Sequence, residues 1–172
     1  MAKIRLFPIS LLVILLAVML IFSSQLIRAE EVETGINIGN KAPGFTLPDL
    51  EENEISLDDL RGKKVFLNFW ASWCGPCEHE MPDIEKLHKE YEDEVAVIAV
   101  NMGEKKDDVD QFLSSQDLNM PVLLDRNQSL AEKYAVQAIP TTYILDEEGI
   151  ITEKHVGLIE YDKMKELLNI ED

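Results

Sequence analysis

Cysteine is nearly absent from this 172-residue chain: Cys74 and Cys77 have no third or fourth partner from which to build a disulfide framework. A lone pair of thiols is a reactive device more than a structural one. Positive charge is also scarce. Beyond residue 29 there are 13 Lys and Arg against 33 Asp and Glu, a net charge of −20 over about 143 residues. Such a balance repels nucleic acid and anionic lipid surfaces, so no nucleic-acid partner is expected. Histidine is limited to His79, His88 and His155. Tetrahedral zinc on the cysteine pair would need two further ligands from these, with no second cysteine pair to help, and no metal is assigned. Covalent haem attachment requires a histidine directly after the second cysteine; Glu78 stands there and His79 is one residue late. No cofactor is expected. Internal repeats and low-complexity tracts are absent.

Residues 1–29 are a separate object. Apolar residues run from Leu6 to Phe22, interrupted only by Pro8 and Ser10, and as a helix would span about 26 Å, or about 33 Å if continued to Ile27. That length crosses a bilayer core. Lys3, Arg5 and the amino terminus outweigh Arg28, which favours a cytoplasmic N-terminus and export of the rest. A cleaved signal peptide is the alternative. However, Ile27-Arg28-Ala29 offers a small residue at −1 but not at −3, and Phe22-Ser23-Ser24 fails similarly. No cysteine follows the run to carry a lipid. The expected organisation is an anchor or signal over 1–29, a polar linker over 30–38 and one domain over 39–172. Both alternatives put the domain on the extracytoplasmic side of the cell membrane, single-pass if the segment is retained.

Hydropathy patterning within the domain alternates strand and helix. Phe45-Thr46-Leu47 and Ile55-Ser56-Leu57 read as short strands, and Asp58 to Gly62 as one helical turn closed by glycine. Lys64 to Trp70 and Val95 to Asn101 are near-continuous apolar strands of the kind buried on both faces. Between them, Met81, Ile84, Leu87, His88 and Tyr91 recur at helical spacing over Pro76 to Tyr91, with Pro82 predicting a kink. A helix over Asp107 to Ser115, a strand at Val122 to Leu124 and a short helix from Ser129 to Tyr134, capped by Ser129, come next. The chain closes with a hairpin, Thr141 to Leu145 and Ile150 to Val156, and a helix from Tyr161 to Leu168. Alternation implies parallel βαβ units, and the hairpin adds an antiparallel pair. The fold class is α/β, a mixed central sheet with helices on both faces.

The cysteine pair falls at a strand-to-helix junction. With Cys74 at the helix N-cap, unpaired backbone N–H groups and the helix dipole favour its thiolate and lower its pKa below about 8.5. Cys74 is then the exposed nucleophile, and Cys77, one turn on, the buried resolving thiol. The i to i+3 spacing brings their Cβ atoms to about 5–6 Å, close to disulfide range. Gly75 and Pro76 shape the turn without bulk.

Asn68-Phe69-Trp70-Ala71-Ser72-Trp73-Cys74-Gly75-Pro76-Cys77, with Glu80-Met81-Pro82 and Ile139-Pro140-Thr141-Thr142, resembles the thioredoxin superfamily. More narrowly, the stretch from about Gly39 to Leu168 resembles the TlpA/ResA-type membrane-anchored thiol–disulfide oxidoreductases. Ala42-Pro43-Gly44-Phe45 and the helix and strand inserted near 106–124 belong to that branch. The resemblance implies a thioredoxin-like fold, Cys74 as attacking and Cys77 as resolving cysteine, and Pro140 as a cis-proline facing the dithiol. Trp73, Pro76, Ile139 and Thr141 would complete the substrate surface. It also implies that Glu80 is a buried acid that helps move the cysteine pair's proton, a role Asn68 strengthens because plain thioredoxins carry an Asp on this strand. The implied activity is reduction of cysteine pairs in apocytochrome c before haem attachment, with electrons from a membrane dithiol carrier of the CcdA/DsbD kind. Alternatives are a reductase for other exported proteins, such as spore-envelope or copper-site proteins, and a Sco-like copper chaperone, for which His155 is the only downstream ligand. A peroxiredoxin reading wants Thr or Ser three residues before the reactive cysteine; Ala71 occupies that position.

Overall fold

The structure is a computed structural model and describes residues 13–19 and 32–170. Residues 13–19 are helical and exposed, and fall in a compact unit that ends at Val32; a second unit begins at Glu33. Among the described residues no helix is long and apolar enough to cross a membrane. Most of the expected anchor lies outside the described residues.

In the second unit the elements run β1 (Thr46–Pro48), β2 (Glu54–Ser56), a 3-10 turn (Leu57–Leu60), β3 (Lys64–Trp70), α1 (Gly75–Tyr91), β4 (Val95–Met102), α2 (Lys106–Gln116) and β5 (Val122–Asp125). After these come α3 (Ser129–Lys133), β6 (Thr141–Leu145), β7 (Ile151–Val156) and α4 (Tyr161–Leu167). Five strands form the central sheet in the order β5-β4-β3-β6-β7, with β3, β4 and β5 mutually parallel and β6 and β7 antiparallel. β1 and β2 make a separate antiparallel hairpin.

The pleat of β3 explains the two-sided core. Phe66 and Trp70 turn to one face, where Met81, Ile84 and Leu87 of α1, Val109 and Leu113 of α2 and Met164 of α4 cover them. Val65, Leu67 and Phe69 turn to the other, against Leu57, Leu130, Ala131 and Tyr134. Helices therefore lie on both faces, but unequally. Three helices cover the first face, whereas the five-residue α3, the 3-10 turn and the β1–β2 hairpin share the second. Phe112 of α2 stacks on Trp70 at 5.2 Å between ring centroids, which joins the inserted helix to the central strand.

Two local expectations need correction. Ser129 does not cap α3: Gln128 holds that position in the left-handed region, and the buried Asp125 carboxylate accepts from Ala131 N–H at 2.8 Å instead. Part of the stretch read as linker is folded onto the domain, since Gly35 N–H donates to the Lys41 carbonyl and Lys41 N–H donates to the Glu33 carbonyl. Helix α1 continues through Pro82, which is exposed on its solvent side, away from the packed stripe.

Leu67 lies on the central strand with no solvent exposure. Leu67→Ala should lower unfolding free energy by about 2–5 kcal/mol, read as a reduced urea midpoint with unchanged slope.

Candidate active site

The junction between β3 and α1 carries the chemistry. β3 ends at Trp70, the loop Ala71 to Trp73 turns outward, and Cys74 takes the N-cap position of α1 with extended backbone angles. Its sulfur accepts a hydrogen bond from Cys77 N–H at 3.2 Å. The two cysteines are joined as a disulfide with Cα atoms 5.2 Å apart. Cys77 has no exposure. Cys74, expected to be the exposed member, is only 6 % exposed, because the Ile139 carbonyl stands 3.7 Å from its sulfur. The difference between the two cysteines survives, but as a narrow opening. Trp73 beside it is 72 % exposed.

Ile139 and Pro140 come from the loop before β6, and the peptide between them is cis. Pro140 is buried, and its carbonyl accepts from Gly157 N–H at 2.8 Å, which anchors the loop to the end of β7. Thr141, grouped with them from the sequence, turns elsewhere: its hydroxyl donates to the Ala138 carbonyl at 2.7 Å. Pro76 is exposed in the first turn of α1. The tertiary structure thus brings Cys74, Cys77 and Ile139 to one point, with Trp73 and Pro76 at its rim. His155 lies in β7 with Nε2 3.2 Å from the Leu158 carbonyl oxygen.

Glu80 is not a surface acid. It shares the inward face of α1 with Cys77, Met81, Ile84 and Leu87 and is 1 % exposed. Asn68 Nδ2 donates to Glu80 Oε1 at 2.8 Å, and Ile159 N–H donates to Oε2 at 3.1 Å. Asn68 Nδ2 also donates to Thr142 Oγ1 at 3.0 Å, across the β3–β6 register. Burial pushes the Glu80 carboxyl up to about 7; the bonds from Asn68 and Ile159 oppose that shift, and the charge of Asp83 adds to it. The raised carboxyl lies one turn beyond Cys77 on the same helix. The sequence had identified both Asn68 and Glu80, but not that they are bonded to each other. Thr142 was noted only as part of the Ile139-Pro140-Thr141-Thr142 string, and neither its bond to Asn68 nor the Ile159 N–H was foreseen, because the contacts span 74 and 79 positions of chain.

Residues 38–154 match the AhpC/TSA family. The thioredoxin-like protein YneN of Bacillus subtilis is 47 % identical over 142 residues, covering 81 % of this chain and 83 % of that one. The thiol–disulfide oxidoreductase ResA of Geobacillus thermodenitrificans is 39 % identical over 137 residues, covering 79 % of each. Among solved structures, StoA of Bacillus subtilis superposes with a TM-score of 0.66 at 29 % identity, over 73 % of this chain and 96 % of StoA. A disulfide capping a helix beside a cis-proline, on this sheet and with these relatives, leaves one assignment: the chain belongs to the thioredoxin-like AhpC/TSA family and is a thiol–disulfide oxidoreductase.

Proposed function

We propose that this enzyme works as an extracytoplasmic reductant of cysteine pairs, with apocytochrome c before haem attachment as its substrate and a membrane dithiol carrier of the CcdA/DsbD kind as its electron source. The N-terminal segment, residues 1–29, holds it at the membrane, and 30–38 leads into the catalytic domain. The observation that carries the reading is a buried carboxyl, Glu80, poised to exchange a proton near pH 7 on the same helix face as the recessed thiol. Similarity to ResA supports it.

In the reduced enzyme the Cys74 thiolate is favoured by the Cys77 N–H at the helix start. It attacks one sulfur of the substrate disulfide. That S–S bond breaks, a mixed disulfide forms, and the first substrate sulfur leaves as a thiolate that takes a proton from solvent. Cys77 then gives its proton to the Glu80 carboxylate and attacks the Cys74 sulfur. The second substrate thiolate departs, and the enzyme is left with the Cys74–Cys77 bond found in the structure. Two electrons have passed to the substrate. The carrier returns them by the reverse exchange, when Glu80 gives its proton back. Trp73, Pro76, Ile139 and Pro140 frame the substrate segment, which lies along the Ile139–Pro140 peptide beside the open sulfur.

Cys77→Ser should accumulate covalent adducts with exported cysteine-pair proteins, and Cys74→Ser should accumulate none. Mass spectrometry of the trapped species identifies the substrate; adducts without cytochrome c polypeptides would redirect the reading to other exported proteins. Glu80 offers two further checks. Glu80→Gln should move the pH midpoint of thiol alkylation in the reduced enzyme, and an unchanged profile would remove Glu80 from the proton path. The carboxyl also links folding to pH. Its native pKa of about 7 lies above the usual 4.5, so the folded state binds more protons between those values. Stability is full below about 4.5 and falls as pH rises to about 7, by up to roughly 3 kcal/mol. Urea titrations of the oxidised protein should show that decline, and Glu80→Gln should flatten it.

A further inference from the structure

Glu104 lies away from the cysteine helix, in the turn between β4 and α2, yet three donors converge on its carboxylate. Ser72 N–H donates to Oε2 at 2.7 Å, the Ser72 hydroxyl donates to Oε1, and Asn101 Nδ2 donates to Oε2 at 2.6 Å. Ser72 stands two residues before Cys74, in the loop that Cys74 N–H closes onto the Ala71 carbonyl at 3.2 Å. Asn101 is the register partner of Trp70. One carboxylate therefore ties the ends of both central strands to the segment that presents the reactive sulfur.

The backbone around it is built for this reach. Gly103 has φ +77°, and a Cβ there would come within 2.7 Å of the Gln128 amide nitrogen. Only glycine fits that turn without displacing its neighbour. Hydrogen bonds to an ionised carboxylate are the strong kind, and two of the three act on one residue, fixing its main chain and side chain together. Nothing about the cysteine pair itself requires a carboxylate here; a solvent-bound loop would close the same disulfide.

We propose that Glu104 is a positioning residue for the redox centre: its carboxylate holds the Ser72-to-Cys74 segment in register with Ile139, and keeps a fixed negative charge beside the loop. The inference rests on Cys74 being the attacking thiol. The inserted helix α2, which follows Glu104 directly, is then coupled to the active-site loop as well as to Trp70. Ionisable groups near the pair in the chain or at the adjoining turns include Glu78, His79, Glu80 and Asp83 on α1, Lys105 beside Glu104, and His155 and Glu160 flanking the turn after β7. Substitution at 104 leaves all of these in place.

The test uses the reduced full chain, with iodoacetamide labelling of Cys74 followed by mass spectrometry across pH and reduction of a small disulfide followed at neutral pH. Glu104→Gln removes the charge and should lower the Cys74 labelling midpoint by about half a pH unit, since a nearby anion disfavours the thiolate. It should also slow disulfide reduction about tenfold through the freed loop. Glu104→Asp keeps the charge and should leave the midpoint at the parent value. Ser72→Ala, which keeps the charge and the backbone bond, should slow reduction without moving the midpoint. A lower melting temperature in Glu104→Gln with parental midpoint and rate would make the carboxylate merely structural and overturn the proposal. Should Glu104→Gln not fold, a parental rate in Ser72→Ala overturns it. Absence of Cys74 labelling in the parent would instead defeat the attacking-thiol reading on which it stands.

Discussion

The hydrogen bond from Asn68 to Glu80 is the contact on which the active site depends. It places a carboxyl inside the protein, between the central strand and the helix that begins at the disulfide. A buried carboxylate is costly, and two donors cannot restore everything that water supplied. The group therefore titrates near neutrality, the range where a thiol must give up and regain a proton. Removing Asn68 alone would leave the buried carboxyl with one donor fewer, at a cost in stability.

Around that contact the site draws on distant parts of the chain. The strand-to-helix junction supplies the sulfurs, the loop before β6 supplies Ile139 and the cis-proline, the turn after β7 supplies the Ile159 N–H, and the turn after β4 supplies Glu104. Glu104 apart, these anchors are backbone groups or short side chains, so the geometry is set by sheet register more than by flexible reach. The pairing of β3 with β6 puts Asn68 opposite Thr142, three positions from Ile139. The same register that closes the core thus also aligns the carboxyl network with the peptide that faces Cys74.

This architecture narrows access to the sulfur. Cys74 shows a small opening beside a prominent Trp73, and the remainder of the pair is sealed. On the proposed function, an extended cysteine-bearing segment lying along this loop would meet the sulfur at that opening.

Much of this was legible from the residues alone. Apolar runs located β3, β4 and β6, helical spacing located the inward stripe of α1, and the cysteine spacing at the helix start identified the redox pair, because these signals are local and periodic. Glu80 was expected to be buried only through the family resemblance, since its place among Glu78 and Glu85 reads equally as a solvated face. Ser129 was misjudged as a cap since the competing Asp125 acts from a neighbouring strand end, which no local pattern reveals. What only the tertiary structure decided was the partnership of residues far apart in the chain: Asn68 with both Glu80 and Thr142, Ile139 with Cys74, and Glu104 with Ser72. Sequence determines which side chains face inward, through the period of each element. Which of them meet depends on strand order and register, and these emerge only when the whole core closes at once.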